Sequence, residues 1–101
     1  MTICHSKTRN LKKEIKSADI VVVAIGKPLY INKSYVKKGQ VIIDVGITKV
    51  GDSVLGDVDF RPVSKIVRAI TPVPGGIGPM TVVSLFENLL TAFERQNNNM
   101  L

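Results

Sequence analysis

Apolar residues in this chain form short unbroken runs and one long periodic stripe. Ile20-Val21-Val22-Val23-Ala24-Ile25 is unbroken, mostly β-branched, and ends at Gly26. Val41-Ile42-Ile43-Asp44-Val45 repeats the pattern before Gly46, and Val67 to Thr71 is a third run halted by Pro72. Runs that do not alternate predict strands covered on both faces, as in a parallel sheet. Met1 to Cys4 is a fourth, shorter β-prone run.

Helical spacing appears between the runs. Leu11 and Ile15 share a face four residues apart, and Asn10 suits the N-cap, so Asn10 to Ser17 reads as a helix. Ser34 to Lys38 reads as a short helix or turn closed by Gly39, and Arg61 to Lys65 as a helical turn. Thr48–Val50 and Val54–Leu55 flank Gly51-Asp52-Ser53, which predicts a hairpin. Val82, Leu85, Phe86, Leu89, Leu90 and Phe93 form one stripe on a helix from Pro79 to about Gln96, with Pro at the first helical position. The polar Asn97 to Asn99 is expected to fray.

Strands alternating with helices predict an α/β fold with a parallel sheet and flanking helices. Ligands of such sheets sit at the carboxyl ends of the strands. Here those ends are Cys4-His5-Ser6, Ile25-Gly26-Lys27, Val45-Gly46-Ile47 and Thr71-Pro72-Val73. Glycine or proline follows three of them, and glycine lets backbone approach a flat ligand closely.

Composition narrows this reading. The 101 residues suit one domain, and 45% hydrophobic with 22% charged residues excludes general disorder. One Cys and one His exclude an intrachain disulfide and a cysteine-built zinc site, and no metal is expected. The chain opens on a polar, basic segment, and Ile20–Ile25 is far short of the roughly 20 residues a membrane span needs. A soluble cytoplasmic protein without membrane contact is the expectation. The net charge is +6, and seven of the fourteen basic residues fall within the first 33 positions. No aromatics interleave with them, so a nucleic-acid groove ranks below a solvated surface and a phosphorylated-ligand site.

Candidate chemistry gathers in two places. At the first strand end, His5-Ser6-Lys7-Thr8-Arg9 holds no acid. In a dinucleotide fold that position meets the adenosine ribose, where basic and hydroxyl groups suit the 2′-phosphate of NADP and a carboxylate would select NAD. Equally, Ser6 and Thr8 could simply begin the next helix. His5 reads as a hydrogen-bonded structural group and Cys4 as a small buried side chain. Asp44, Asp57 and Asp59 read as structural more than acid/base groups, with Asp44 placed to bind backbone amides or cap a turn. The second place is Gly75-Gly76-Ile77-Gly78, stiffened by Pro72, Pro74 and Pro79, which also remove amide donors. A rigid glycine turn of this kind suits a flat wall for a ring system better than a phosphate cradle.

Ile70-Thr71-Pro72-Val73-Pro74-Gly75-Gly76-Ile77-Gly78-Pro79-Met80-Thr81 closely resembles a signature of the methylenetetrahydrofolate dehydrogenase/methenyltetrahydrofolate cyclohydrolase family. Thr2 to Thr8, Ala18 to Pro28, Val41 to Ile47 and Gly56 to Phe60 match in the same order and at the same spacing. The resemblance covers nearly the whole chain. It implies a Rossmann-type domain that binds NADP, with NAD possible, in a bifunctional enzyme acting on tetrahydrofolate derivatives as a homodimer. It further implies that Ser6 contacts the ribose phosphate, that Ile47 meets the nicotinamide end, and that Pro74, Gly75 and Gly76 lie at the folate cleft. Thr8, Gly26 and Gly46 join the cofactor-binding set by position, while Lys7 and Arg9 are expected as phosphate contacts from their charge alone and not from the resemblance.

Departures from the family pattern limit what can be carried over. The family's Gly-Arg-Ser-x-x-Val-Gly pyrophosphate loop is absent, and neither Tyr30 nor Tyr35 has a Lys four residues later, so no catalytic residue is assigned. The chain is therefore expected to be the later part of the NAD(P)-binding domain, lacking the first strand, its loop and the catalytic amino-terminal domain. In a 3-2-1-4-5-6 strand order the first strand is central. On that order the Met1–Cys4 and Ile20–Ile25 strands lose their bridge to Val41–Val45 and Val67–Thr71. The chain should then be inactive alone, and unstable, self-associated or differently ordered. A non-catalytic nucleotide-binding or oligomerisation module is the alternative.

Overall fold

A computed structural model describes residues 1–97. Three strands, β1 (Ile20–Val23), β2 (Val41–Asp44) and β5 (Ala69–Ile70), form a parallel sheet in the order β1-β2-β5. Ile20 pairs with Val41, and Val41 with Ala69. A separate antiparallel hairpin joins β3 (Thr48–Val50) to β4 (Ser53–Leu55). Gly51 takes φ +59 in the two-residue loop, a conformation that costs glycine little. The helices are α1 (Leu11–Lys16), α2 (Phe60–Ser64) and α3 (Ile77–Gln96), with a 3-10 turn at Lys33–Tyr35. Asn10 caps α1 as expected, its side chain accepting from the Lys13 amide at 3.3 Å.

Four expectations change. First, Met1–Cys4 is not a strand, because its backbone has no strand beside it to complete a ladder. Second, β1 pairs directly with β2, so no bridging strand was lost between them. This adjacency matches the other doubly wound order, 2-1-3-4-5, in which the third and fourth strands are neighbours. The open position falls instead beside the outer edge of β1, where a groove of about 900 Å³ separates the first six residues from the strand. Third, the unbroken apolar runs are not covered on both faces. Val21, Val23, Ile42 and Asp44 turn to the buried face, whereas Ile20 and Val22 on the other face are 63% and 62% exposed. Fourth, the third strand is only two residues long, since Arg68 and Ala69 both donate to Gln40 O and Thr71 closes on Ile42 O.

The core is small and single: Ile15, Val23, Ile31, Val36, Ile42, Val58, Val63 and Val67. Gln40, fully buried, braces it. Its amide nitrogen donates to Ile15 O at 2.7 Å and Ala18 O at 2.8 Å, while its oxygen accepts from Lys37 N at 2.8 Å. Helix α3 begins at Ile77, two residues before Pro79, and buries none of its residues. The radius of gyration is 16.8 Å, against about 13 Å for a compact domain of 100 residues. Asn98 and Asn99 of the expected frayed tail lie outside the described residues.

Candidate functional site

Of the two candidate segments, the proline-glycine segment lies at the carboxyl end of a strand. A cavity of about 250 Å³ is lined by Asp44, Val45 and Ile47 at the end of β2 and by residues 72–79. Ile47, Pro74, Gly75 and Gly76 therefore share one cavity. The proline-glycine segment folds back on itself: a Cβ on Gly76 would collide with Pro72 O, so only glycine fits there. Gly75 takes φ +93 with open space beside it, and the Val73–Pro74 peptide is cis. Proline at 72, 74 and 79 leaves this wall short of amide donors and mostly apolar.

Two buried carboxylates organise the turns behind that wall. The Asp44 Oδ1 accepts from Gly46 N at 3.0 Å and Asp57 N at 3.1 Å, and its Oδ2 accepts from Val58 N at 3.1 Å. Asp44 N in turn donates to the Thr71 hydroxyl at 2.9 Å, tying the end of β2 to the end of β5. The amide-binding reading of Asp44 holds. Asp57 is fully buried, and its Oδ2 accepts from Ile25 N at 2.8 Å and Gly26 N at 2.9 Å. A Cβ on Gly46 would run into the Asp57 carboxyl, and one on Gly56 into that of Asp44, which explains glycine at both positions. Sequence reasoning gave Asp57 no specific partner. The Gly56-Asp57 pair beside a buried turn was the only local clue.

The 5–9 turn, which follows no strand, stands apart. Ser6 and Thr8 line the groove beside β1 and do not touch the cavity at β2. His5 N donates to the Thr8 hydroxyl at 2.8 Å, and His5 Nδ1 accepts from Lys7 N at 3.1 Å, so a tight local turn sets this segment. His5 is thus hydrogen-bonded, in line with its structural reading. Ser6, Lys7 and Arg9 are exposed, and Cys4 is half-buried rather than core. Gly26 sits between the two places, in the turn after β1, at φ +74 with nothing within 4 Å of its Cβ position. The candidate residues therefore fall into two groups, the 5–9 turn and the β2 cavity, with the Gly26 turn between them in sequence.

Nearby, the Tyr30 and Tyr35 rings lie 5.8 Å apart, with Lys27 Nζ 5.3 Å from the Tyr30 ring and Lys12 Nζ 5.0 Å from that of Tyr35. The hydrogen bond to Tyr30, then desolvation, raises the Tyr35 hydroxyl above its ordinary 10.0. Among the described residues no cluster of His, Cys, Asp or Glu could hold a metal, and no helix is long and apolar enough to cross a membrane.

Known proteins resemble this arrangement closely. Residues 1–97 match the model of the family described as tetrahydrofolate dehydrogenase/cyclohydrolase, NAD(P)-binding domain. The bifunctional protein FolD of Thermoplasma acidophilum is 48% identical over 100 residues, covering 99% of this chain and 36% of that protein. FolD of a Sulfurihydrogenibium species is 53% identical over 96 residues, covering 95% and 34%. The crystal structure of the Thermoplasma acidophilum methylenetetrahydrofolate dehydrogenase/cyclohydrolase superposes with a TM-score of 0.91 over 96% of this chain and 35% of that one. A Trypanosoma brucei relative, solved with NADP cofactor and inhibitor, gives 0.85 at 40% identity, over 94% and 35%. This chain spans about a third of the length of the relatives it matches. A match from end to end of the described residues, in sequence and in backbone, places the chain in the tetrahydrofolate dehydrogenase/cyclohydrolase family, at its NAD(P)-binding domain.

Proposed function

We propose that this chain supplies part of an NADP site and one wall of the folate cleft of a bifunctional 5,10-methylenetetrahydrofolate dehydrogenase and 5,10-methenyltetrahydrofolate cyclohydrolase. The single observation that carries this is the cavity between the end of β2 and the proline-stiffened 72–79 turn. Its flat, donor-poor wall suits a ring system. The open side of Gly26 suits a second close approach of a planar group. Ile47, Gly46 and Gly26 would meet the nicotinamide end, and Pro74, Gly75 and Gly76 the reduced pterin. Ser6 and Lys7, both exposed, and half-buried Thr8, all free of acid neighbours in sequence, would take the ribose 2′-phosphate, which favours NADP over NAD.

Bound NADP would supply the hydride acceptor for the methylene carbon of the folate, so this chain need provide only rigid surfaces and exclusion of water. The cyclohydrolase step needs a proton-transfer group. The one titratable side chain lining the β2 cavity, Asp44, is engaged by three backbone amides, so that group would come from outside this chain. The chain alone is then inactive, and the working enzyme is a cytoplasmic homodimer whose catalytic residues lie in a separate amino-terminal domain.

Titrating the chain with NADP, and then with a folate analogue in competition, tests the reading. Binding of both in one cleft, with no NADPH formed from methylenetetrahydrofolate, is the expected result. Turnover by the isolated chain would overturn the division of labour, and NADP binding without folate competition would favour a plain nucleotide-binding module.

A further inference from the structure

We propose that Asp57 is a positioning residue: it clamps the turn after β1 to the turn after β2 and so sets the nicotinamide end of the cofactor site. The proposal rests on the cofactor reading above. Four observations carry it. A single oxygen, Asp57 Oδ2, accepts from two successive amides, Ile25 N at 2.8 Å and Gly26 N at 2.9 Å. Two donors converging on one carboxylate oxygen fix the orientation of both peptides, as a lone hydrogen bond would not. The same carboxyl group occupies the side of Gly46 where a Cβ would stand, so the turn after β2 rests directly on it. Asp57 cannot drift, because its own amide is held by Asp44 Oδ1 at 3.1 Å and its carbonyl accepts from Ile31 N at 2.9 Å. Finally, Gly26 is held from beneath by this carboxylate, while its Cβ side opens on empty space. One side is pinned and the other is free to receive a planar group.

Asp57 does not act on a ligand itself. It is fully buried and lines neither the cavity at β2 nor the groove at β1. Its second oxygen, Oδ1, is buried without a hydrogen-bond partner. Carbonyl geometry matters more here than the second oxygen. Asn at this position, with its oxygen at the Oδ2 place, could still accept both amides, whereas Ala could accept neither.

The test compares Asp57→Ala and Asp57→Asn with the parent chain, using NADP and adenosine 2′,5′-bisphosphate as separate probes. The bisphosphate reads only the Ser6–Thr8 end, and NADP reads both ends. Asp57→Ala should weaken NADP by about tenfold or more, the worth of one charge-assisted hydrogen bond, with the bisphosphate changed less than about twofold. Asp57→Asn should recover most of the lost NADP affinity. Equal loss of both probes, or an Asn variant as impaired as the Ala variant, would overturn the positioning role. If Asp57→Ala does not fold, Asp57→Asn against the parent still decides, through amide hydrogen exchange without ligand. Exchange at Ile25 and Gly26 should rise selectively as the bonds lose their charge assistance, and unchanged exchange there overturns the clamp. A parent chain that binds neither probe overturns the cofactor reading and the cofactor half of this proposal, while the exchange result still stands on its own.

Discussion

The sheet with its carboxylate-braced turns and the long helix α3 carry similar apolar content and meet opposite fates. Around β2, Ile42, Val58 and Val63 are buried to 2% exposure or less, and charged Asp44 and Asp57 are buried with them. Along α3, Leu85, Phe86 and Leu89 are each about two-thirds exposed. Apolar character alone does not decide burial. What differs is long-range closure. The sheet region is knitted by bonds from residue 40 back to 15 and 18, and from residue 57 back to 25 and 26. The described part of α3 has no side chain bonded beyond its own helix. In this chain, stability should therefore reside in the sheet region, and α3 should contribute little beyond its own helical bonds.

The largest effect that could break this comparison comes from truncating equivalent apolar side chains in the two regions. Ile42→Ala should cost about 2–5 kcal/mol, since it removes fully buried methyl groups from the core face of the middle strand. Phe86→Ala should change stability by no more than about 0.5 kcal/mol, because the ring already faces solvent. Denaturant unfolding of both variants checks the pair. A cost at Phe86 comparable to that at Ile42 would show that α3 packs against the body or another molecule in solution.

A second substitution sharpens the account of the sheet region. Gly46→Ala drives a methyl group into the Asp57 carboxyl and should cost about 1–3 kcal/mol, as overpacking does. Gly51→Ala meets open space, but at φ +59 it carries only backbone strain, about 1 kcal/mol. Thermal melts should rank Gly46→Ala well below Gly51→Ala. The reverse ranking would mean the Asp57 carboxyl moves aside at little cost.

Much of this contrast was legible in the sequence, but unevenly. Unbroken β-branched runs placed β1 and β2 within two residues of their observed ends, and Asn10 marked the start of α1. The stripe on α3 was also legible as a pattern. Periodicity reports which face of a helix seeks burial, not what buries it, so its exposure could not be read. The covered and open faces of β1 escaped for the same reason. The place of the candidate site was legible where one segment carries it: the proline-glycine pattern marks the 72–79 turn, and that turn stands at the end of β2. It was not legible where it depends on partners far apart in sequence. The bonds of Asp57 cross 31 and 32 residues and those of Gln40 cross 22 and 25, distances at which no local pattern points to a partner. Strand order failed for a related reason, since two doubly wound orders share the same sequence of elements and only pairing separates them.

The smallest expected effect gives a probe of the sheet region by itself. The chain has two tyrosines and no tryptophan, and neither tyrosine lies on α3. Tyr35 is held neutral to a higher pH than an ordinary tyrosine, first by its hydrogen bond with Tyr30. A raised folded value favours the protonated form. Any stability it lends is therefore fully present below the ordinary 10.0 and is lost as pH rises through the raised value. Tyr30 is 41% exposed and Tyr35 only half-buried, so the consequence for stability is slight, but the ultraviolet absorbance of ionising tyrosine reads it directly. Tyr30→Phe should bring Tyr35 back toward its ordinary titration, while Phe86→Ala should leave both curves where they are. A Tyr35 curve that moves with Phe86→Ala would show the two regions to be coupled, and the independence argued from their bonds would fail.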